Sequence, residues 1–405
     1  VSANLTVESS CGFNQTFTLP FVDSSEISQL CPAQILQSQC RNGTLPGMQE
    51  YIYRDTITLS PTCDFYTLSW TDGSRNDANA NITTPGLQNI YVPALLYSAT
   101  DPNNTSPYFT SQPIPYFCAG NQVSFGLGVV EPDGDSLVFS LAQPLSAAGT
   151  PIAYVGGNTV NSPFPNTGIA INSQTGQLTF TPTTQGIYTI VILCQEYDRV
   201  TGQLLGSIRR DIEIVVRNCN NQPPDASSGG ISNVIGDATQ ISNTVIEMCE
   251  GSTFSFSATY TDPNATDILS LISSNPLPGL TISTTGTNPL TATYTWTPPA
   301  GSAGTNNLFT VQLTDGACPI LGSQFYSYSF NVLPATTIGS DRLILCGTQN
   351  TELIPFGGSV FSWYTIVNPG DSIPITQGPE FLENPANTDT ATVKPPVTTT
   401  YVVVS

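Results

Sequence analysis

At 405 residues the chain has room for three or four domains, each able to bury its own core. Charged residues make up only 9%, and 29 acids against nine basic residues give a formal charge of −20. That balance excludes nucleic acid and anionic membrane surfaces as partners, while favouring cations. No run of 18 apolar residues occurs, so no membrane insertion is expected, and the absence of histidine excludes His-ligated zinc and His-based triads.

The chain opens on "NLTVESSCGFNQ", which reads as a strand and is similar to "DIEIVVRNCNNQ" near residue 218. Residues 1–9 are therefore expected to be the last strand of an upstream domain. Residues 10–110 follow as a cysteine-rich β-domain, with strands in "QEYIYRDTITL", "CDFYTLSW" and "QNIYVPALLY". Tyr51 and Tyr53 share one face of the first, and Trp70 lies in the next; they form either a sugar-binding platform or ordinary cross-strand packing.

From residue 111 the pattern repeats. "CAGNQVSFGLGVVEPDGDSL" from Cys118 overlays "CEGSTFSFSATYTDPNATDIL" from Cys249, with Phe125 matching Phe256 and Glu131-Pro132 matching Asp262-Pro263. Downstream, "LTFTP" aligns Phe180 with Trp296 of "YTWTP", and each copy carries a second cysteine, Cys194 and Cys318. Two tandem sandwiches are expected over 111–218 and 219–335, followed by a small Ig-like domain over 336–405. The fold class is all-β: tandem β-sandwich domains of PKD/cadherin-like and Ig-like type forming an elongated rod.

Ten scattered cysteines with no CxxC read as disulfides in an oxidising setting. The repeat suggests Cys118–Cys194 and Cys249–Cys318, each closing about 70 residues and worth on the order of 4 kcal/mol by chain entropy. Cys31–Cys40 makes a plausible short loop. Cys11, Cys63, Cys219 and Cys346 stay unassigned.

"EPDGDSL" places Glu131, Asp133 and Asp135 on alternate positions. In a straight strand they would stand about 6.6 Å apart, too far for Ca2+, whose oxygen ligands at about 2.3–2.6 Å lie within about 5 Å of one another. A chain bent at Pro132 and Gly134 removes that obstacle, and Glu196 and Asp198 of "CQEYD" could complete a set. The second copy offers Asp262, Asn264, Asp267 and Asp315. The competing reading is a turn, since Pro-Asp-Gly is a strong turn sequence. Acids repeated in the same turn of two tandem domains argue against a glycosidase pair, and no enzymatic activity is expected.

Together "LCPAQILQSQCRNGTLPGMQEYIYRDTITL", "YFTSQPIPYFCAGNQVSFGLGVVEPDGDSL", "INSQTGQLTFTPTTQGIYTIVILCQEYDRVTGQLLGSIRRDIEIVV" and "NCNNQPP" carry a resemblance, over residues 5–335, to the large surface proteins of Bacteroidota described as gliding-motility-associated or PKD-domain proteins. It implies a secreted, multi-domain adhesin or filament protein on the bacterial cell surface, exported by the type IX system and serving attachment or gliding. Relatives often carry Cys-Cys-Arg-Asn where this chain has Gly73-Ser74-Arg75-Asn76, so their bridge pattern in the first domain does not transfer. The resemblance would place a sorting domain after the Ig-like one, and none is expected within residues 1–405. The resemblance also implies O-glycosylation at Asp-Ser/Thr-apolar triplets, here Thr56, Ser136, Ser372 and Thr390. Expected partners are extracellular glycans or proteins, or copies of the chain itself. The alternatives are a carbohydrate-binding region of a polysaccharide-processing protein and a fibre subunit whose residues 1–9 complete a neighbour's sheet.

Overall fold

The structure, a computed structural model, describes residues 3–60, 63–112, 116–165, 167–274, 277–333, 337–340, 351–356, 362–368, 371–374, 391–394 and 399–404. Among these the regular elements are strands and three short 3₁₀ segments, as an all-β fold requires. Thr390 and Cys346 lie outside the described residues.

The first unit is a sheet in which Ala3–Ser9 pairs with Asn14–Leu19 on one side and Tyr66–Ser74 on the other. The opening strand, expected to close an upstream domain, thus has both edges occupied by its own chain. Tyr66–Ser74 pairs in turn with Asn89–Leu96, whose end meets Gly206 and Ser207 of the 14-residue strand Leu204–Arg217. Gly186–Tyr197 and Ser136–Ala142 continue the same sheet, so the first two units share one continuous layer. The small Val7, Cys63, Tyr66 cluster is the first unit's own core.

In the second unit the sheet just described faces Val123–Phe125, Leu178–Phe180 and Ile169–Ile171. Alternation along "SLVFSLA" and "GIYTIVILCQEY" sends Phe139, Tyr188, Ile190, Ile192 and Cys194 inward against Phe125, Leu178 and Phe180. The third unit repeats the plan. Phe254–Tyr260 and Leu290–Trp296 form one face and Asn306–Thr314 with Ser323–Leu333 the other. Between them lie Phe256, Tyr294, Trp296, Phe309 and Phe330. The hydroxyl of Tyr260 hydrogen-bonds those of Tyr294 (2.6 Å) and Tyr328 (2.7 Å), and Tyr328 donates to Gly229 O, so all three fully buried phenols are satisfied. Both units open with the same parallel pairing, Tyr116–Cys118 against Val215–Arg217 and Val245–Cys249 against Ser329–Leu333. Around residues 337–404 two three-stranded sheets enclose Leu353, Trp363, Ala391 and Val393.

Among the described residues the disulfides are Cys11–Cys63, Cys31–Cys318 and Cys118–Cys219. All three expected pairings are corrected. Cys194 points into the core and is fully buried and free, out of reach of Cys118. Cys118 instead bonds Cys219, two residues past its parallel neighbour Arg217. Cys318 is taken by Cys31, leaving Cys40 and Cys249 as thiols.

End-to-end stacking of the first three units is corrected as well. Strand Ser323–Leu333 is buried on both faces over most of its length, because its serine face lies against the second unit. There Ser124 N and Oγ bond Gln324 Oε1 and Phe325 O (both 2.7 Å), Gln177 bridges Phe325 O and Ser327 N (both 2.9 Å), and Phe125 meets Phe325 edge-on at 5.3 Å. The first unit reaches the third through the Leu30–Ile320 bridge and Cys31–Cys318. Side-by-side packing therefore replaces a rod of beads, and the two repeats share apolar contact through Leu308 and Phe325.

Candidate metal centres

Glu131 to Asp135 fold into a tight turn around a carboxylate. Asp133 N donates to Glu131 Oε1 (3.1 Å) and Asp135 N to Glu131 Oε2 (2.6 Å), with Gly134 supplying the positive φ of +79° that closes the loop. The turn reading is thus part of the answer. It also swings the Asp135 side chain beside Glu131, while the Leu137–Glu196 rung of the sheet delivers Glu196 beneath them. Oxygens of Glu131, Asp135 and Glu196 all lie within 4.8 Å of one another, inside the spread calcium ligands need.

The bottom of this cluster is electrostatically incomplete. Glu196 is fully buried; its Oε2 accepts from Asn104 Nδ2 (2.9 Å), but its Oε1 has no partner, and neither has Asn104 Oδ1. Burial, reinforced by the charges of Glu131 and Asp135, pushes the Glu196 carboxyl up to about 7 against the opposing bond from Asn104. Burial likewise raises Glu131 and Asp135. The two side-chain ion pairs among the described residues, Arg41–Glu26 and Arg75–Asp211, involve none of these acids. Three close carboxylates, one of them with an orphaned oxygen, fit a hard cation.

Asp133 and Asp198 do not join. Asp133 is exposed, its Oδ2 accepting from Thr105 N (2.5 Å). Asp198 Oδ1 is taken by Val200 N, Thr201 N and Thr201 Oγ1, and these bonds hold its carboxyl low.

In the third unit Asp262, Asp267 and Asp315 gather within the same 4.8 Å. Asp262 Oδ1 accepts from Asn264 N (2.7 Å), while Asp262 Oδ2 and Asp267 Oδ2 are buried without partners. Asp315 accepts from Ala317 N and Gly322 N (both 2.9 Å) and from Asn221 Nδ2 (2.6 Å); burial and its acidic neighbours push it up to about 6. Asn264 stands aside, its Oδ1 accepting from Gln222 N (3.2 Å). Asn288 fixes the loop by bonding Asp262 N, Asp262 O and Asn264 O.

Asn104, Asn221 and Asn288 were invisible in the acid pattern, because each arrives from a segment 24 to 94 residues away in sequence. Of the aromatic platform, Tyr51 and Tyr53 sit in a separate two-stranded sheet with Phe21–Glu26, Tyr53 edge-on to Phe21, whereas Trp70 belongs to the main sheet. They do not form one row. Thr56 and Ser136 are exposed, and Ser372 falls in strand Asp371–Pro374.

No family model and no curated protein matches the chain. Among solved structures it is similar to a three-immunoglobulin-domain fragment of titin, at 11% identity over 73% of this chain and 96% of that one, with a TM-score of 0.24. It is also similar to the first four immunoglobulin domains of Sidekick-1 (11%, 97% and 87%, TM-score 0.21) and to the ectodomain of mouse nectin-like molecule 4 (13%, 69% and 86%, TM-score 0.20). All three scores lie far below 0.5, so none of these chains superposes on this one as a whole.

Proposed function

We propose that the chain is a non-catalytic structural or adhesive protein of the bacterial cell surface, a multi-domain display module whose two repeats each hold one calcium ion. Export by the type IX system and service in attachment or gliding follow from the sequence resemblance and belong to the same reading. The observation that carries it is the pair of buried carboxylate clusters, one per repeat, with one unpartnered carboxylate oxygen in the first and two in the second. An unpaired buried charge costs several kcal/mol, so such a cluster suits a calcium-rich exterior, where a cation neutralises it. Disulfides across and within units suit the same oxidising setting.

Thermal unfolding in excess calcium and in EGTA tests the reading. A cation that binds only the folded chain raises the midpoint in step with RT ln(1 + [L]/Kd), about 2.7 kcal/mol at a hundredfold excess over Kd. Glu196→Gln together with Asp262→Asn is expected to abolish the shift; an unchanged midpoint in wild type refutes calcium binding. Antibody against the chain should decorate intact cells of the source organism, and label confined to permeabilised cells refutes surface display.

A further inference from the structure

The first acidic cluster opens onto a cleft. Between the 131–135 turn and the 296–308 segment of the next unit lies a space of about 400 Å3, within the range of small-ligand sites. Glu131 and Asp135 line it, whereas Glu196 closes the cluster from the buried side. A cation held by these three would be covered from below and would present its free coordination positions to the cleft. The facing wall is part apolar, from Leu277, Pro278 and Pro299, and part polar, from Ser302, Thr305 and Asn307. Trp296, only 2% exposed, lies behind this wall and braces it by donating its indole N–H to Pro278 O (2.9 Å).

We propose that this cleft is a calcium-dependent binding site for a neutral sugar, vicinal hydroxyls completing the cation's coordination and the ring's C–H face packing on Leu277, Pro278 and Pro299. The inference rests on the cation reading of the cluster and names the ligand of that same site. Charge selects the class. Three carboxylates around a divalent ion leave one net negative charge; Asp133 at the mouth adds another and Arg199 offsets it. An anionic ligand would meet residual repulsion, whereas hydroxyl oxygens are hard, neutral donors that suit calcium. Apolar surface beside polar groups that fix a ligand's orientation is the composition a small-molecule site needs.

Isothermal titration of the whole chain with the methyl glycosides of mannose, glucose and galactose, in calcium and in EGTA, tests this. Ala300→Trp is the matched variant: Ala300 is exposed, lines the cleft and offers calcium no ligand. At least one glycoside is expected to bind in calcium only and about tenfold or more weakly in Ala300→Trp, which keeps its calcium-dependent rise in melting point. Glucuronate is expected to bind more weakly than glucose. A chain that calcium stabilises but that binds no glycoside overturns the sugar site and leaves the cation reading standing. Absence of any calcium effect overturns both. Binding that survives EGTA or Ala300→Trp, or a preference for glucuronate, overturns the assignment of site or of ligand class.

Discussion

Glu196 is held where its charged form is poorly tolerated, and that makes the first cluster a place where protons and cations compete. Its carboxyl rises from 4.5 in an unstructured chain to about 7 in the fold. A group whose folded value is raised binds its proton more tightly in the native state, so stability falls as pH rises. Without calcium the second unit should therefore lose on the order of 1–3 kcal/mol as pH climbs from about 4.5 through 7, and Asp315, up to about 6, should act in the same direction on the third unit. Melting curves at pH 5 and pH 8 in EGTA read this directly; calcium should erase most of the difference, because the ion takes the proton's place. Glu196→Gln should raise the midpoint at pH 8 in EGTA by removing the forced charge while keeping an acceptor for Asn104. A variant that melts lower there, with Asn104 bonding intact, would count against the strained-charge account.

At the scale of elements, the contact between the repeats depends on how closely two strands approach. A Cβ on Gly126 would meet Ser327 Oγ at 2.6 Å and Thr310 Cγ2 at 2.9 Å. Gly126→Ala is expected to wedge the second and third units apart and cost about 1–3 kcal/mol, whereas Gly168→Ala, whose nearest neighbour is 3.6 Å away, should be close to neutral. Equal melting points for the two variants would show that the contact yields without cost. Sequence was informative here wherever spacing is local. The inward alternation of "GIYTIVILCQEY", the matched Phe125 and Phe256, and the acid turn could all be read because a strand's period of two and a turn's preferences involve only near neighbours. Cysteine pairing could not, since it depends on which strand ends meet in space. Cys194 sits on an inward position of its strand and so belongs to the core, a fact the same alternation contained and the repeat symmetry overrode. Asn104 was illegible for a related reason: one asparagine in a loop carries no pattern until the sheet brings Glu196 to it.

The whole molecule is tied at two levels, by a sheet that crosses from the first unit into the second and by a bond that joins the first to the third. Cys31–Cys318 closes 287 residues, a restraint of about 6 kcal/mol on the unfolded chain by the loop-entropy model. Replacing both cysteines by serine should lower the melting point and make the 30–48 segment, which has little regular structure of its own, the first to be cut by protease. An unchanged cleavage pattern would place the restraint elsewhere, in the Leu30–Ile320 bridge and the shared sheet.

The same bond sets how the chain would carry tension. A pull entering before Cys31 and leaving after Cys318 has a covalent path through sulfur, so the polypeptide between them, which could stretch to roughly 1,000 Å, cannot be drawn out while the bond holds. The Cys118–Cys219 bridge repeats the arrangement inside it, a second bypass around 101 residues. While both bonds stay oxidised, tension leaving Cys318 runs along strand Ser323–Leu333, so the second unit keeps its shape beside the line of force and the third meets the pull at that one strand.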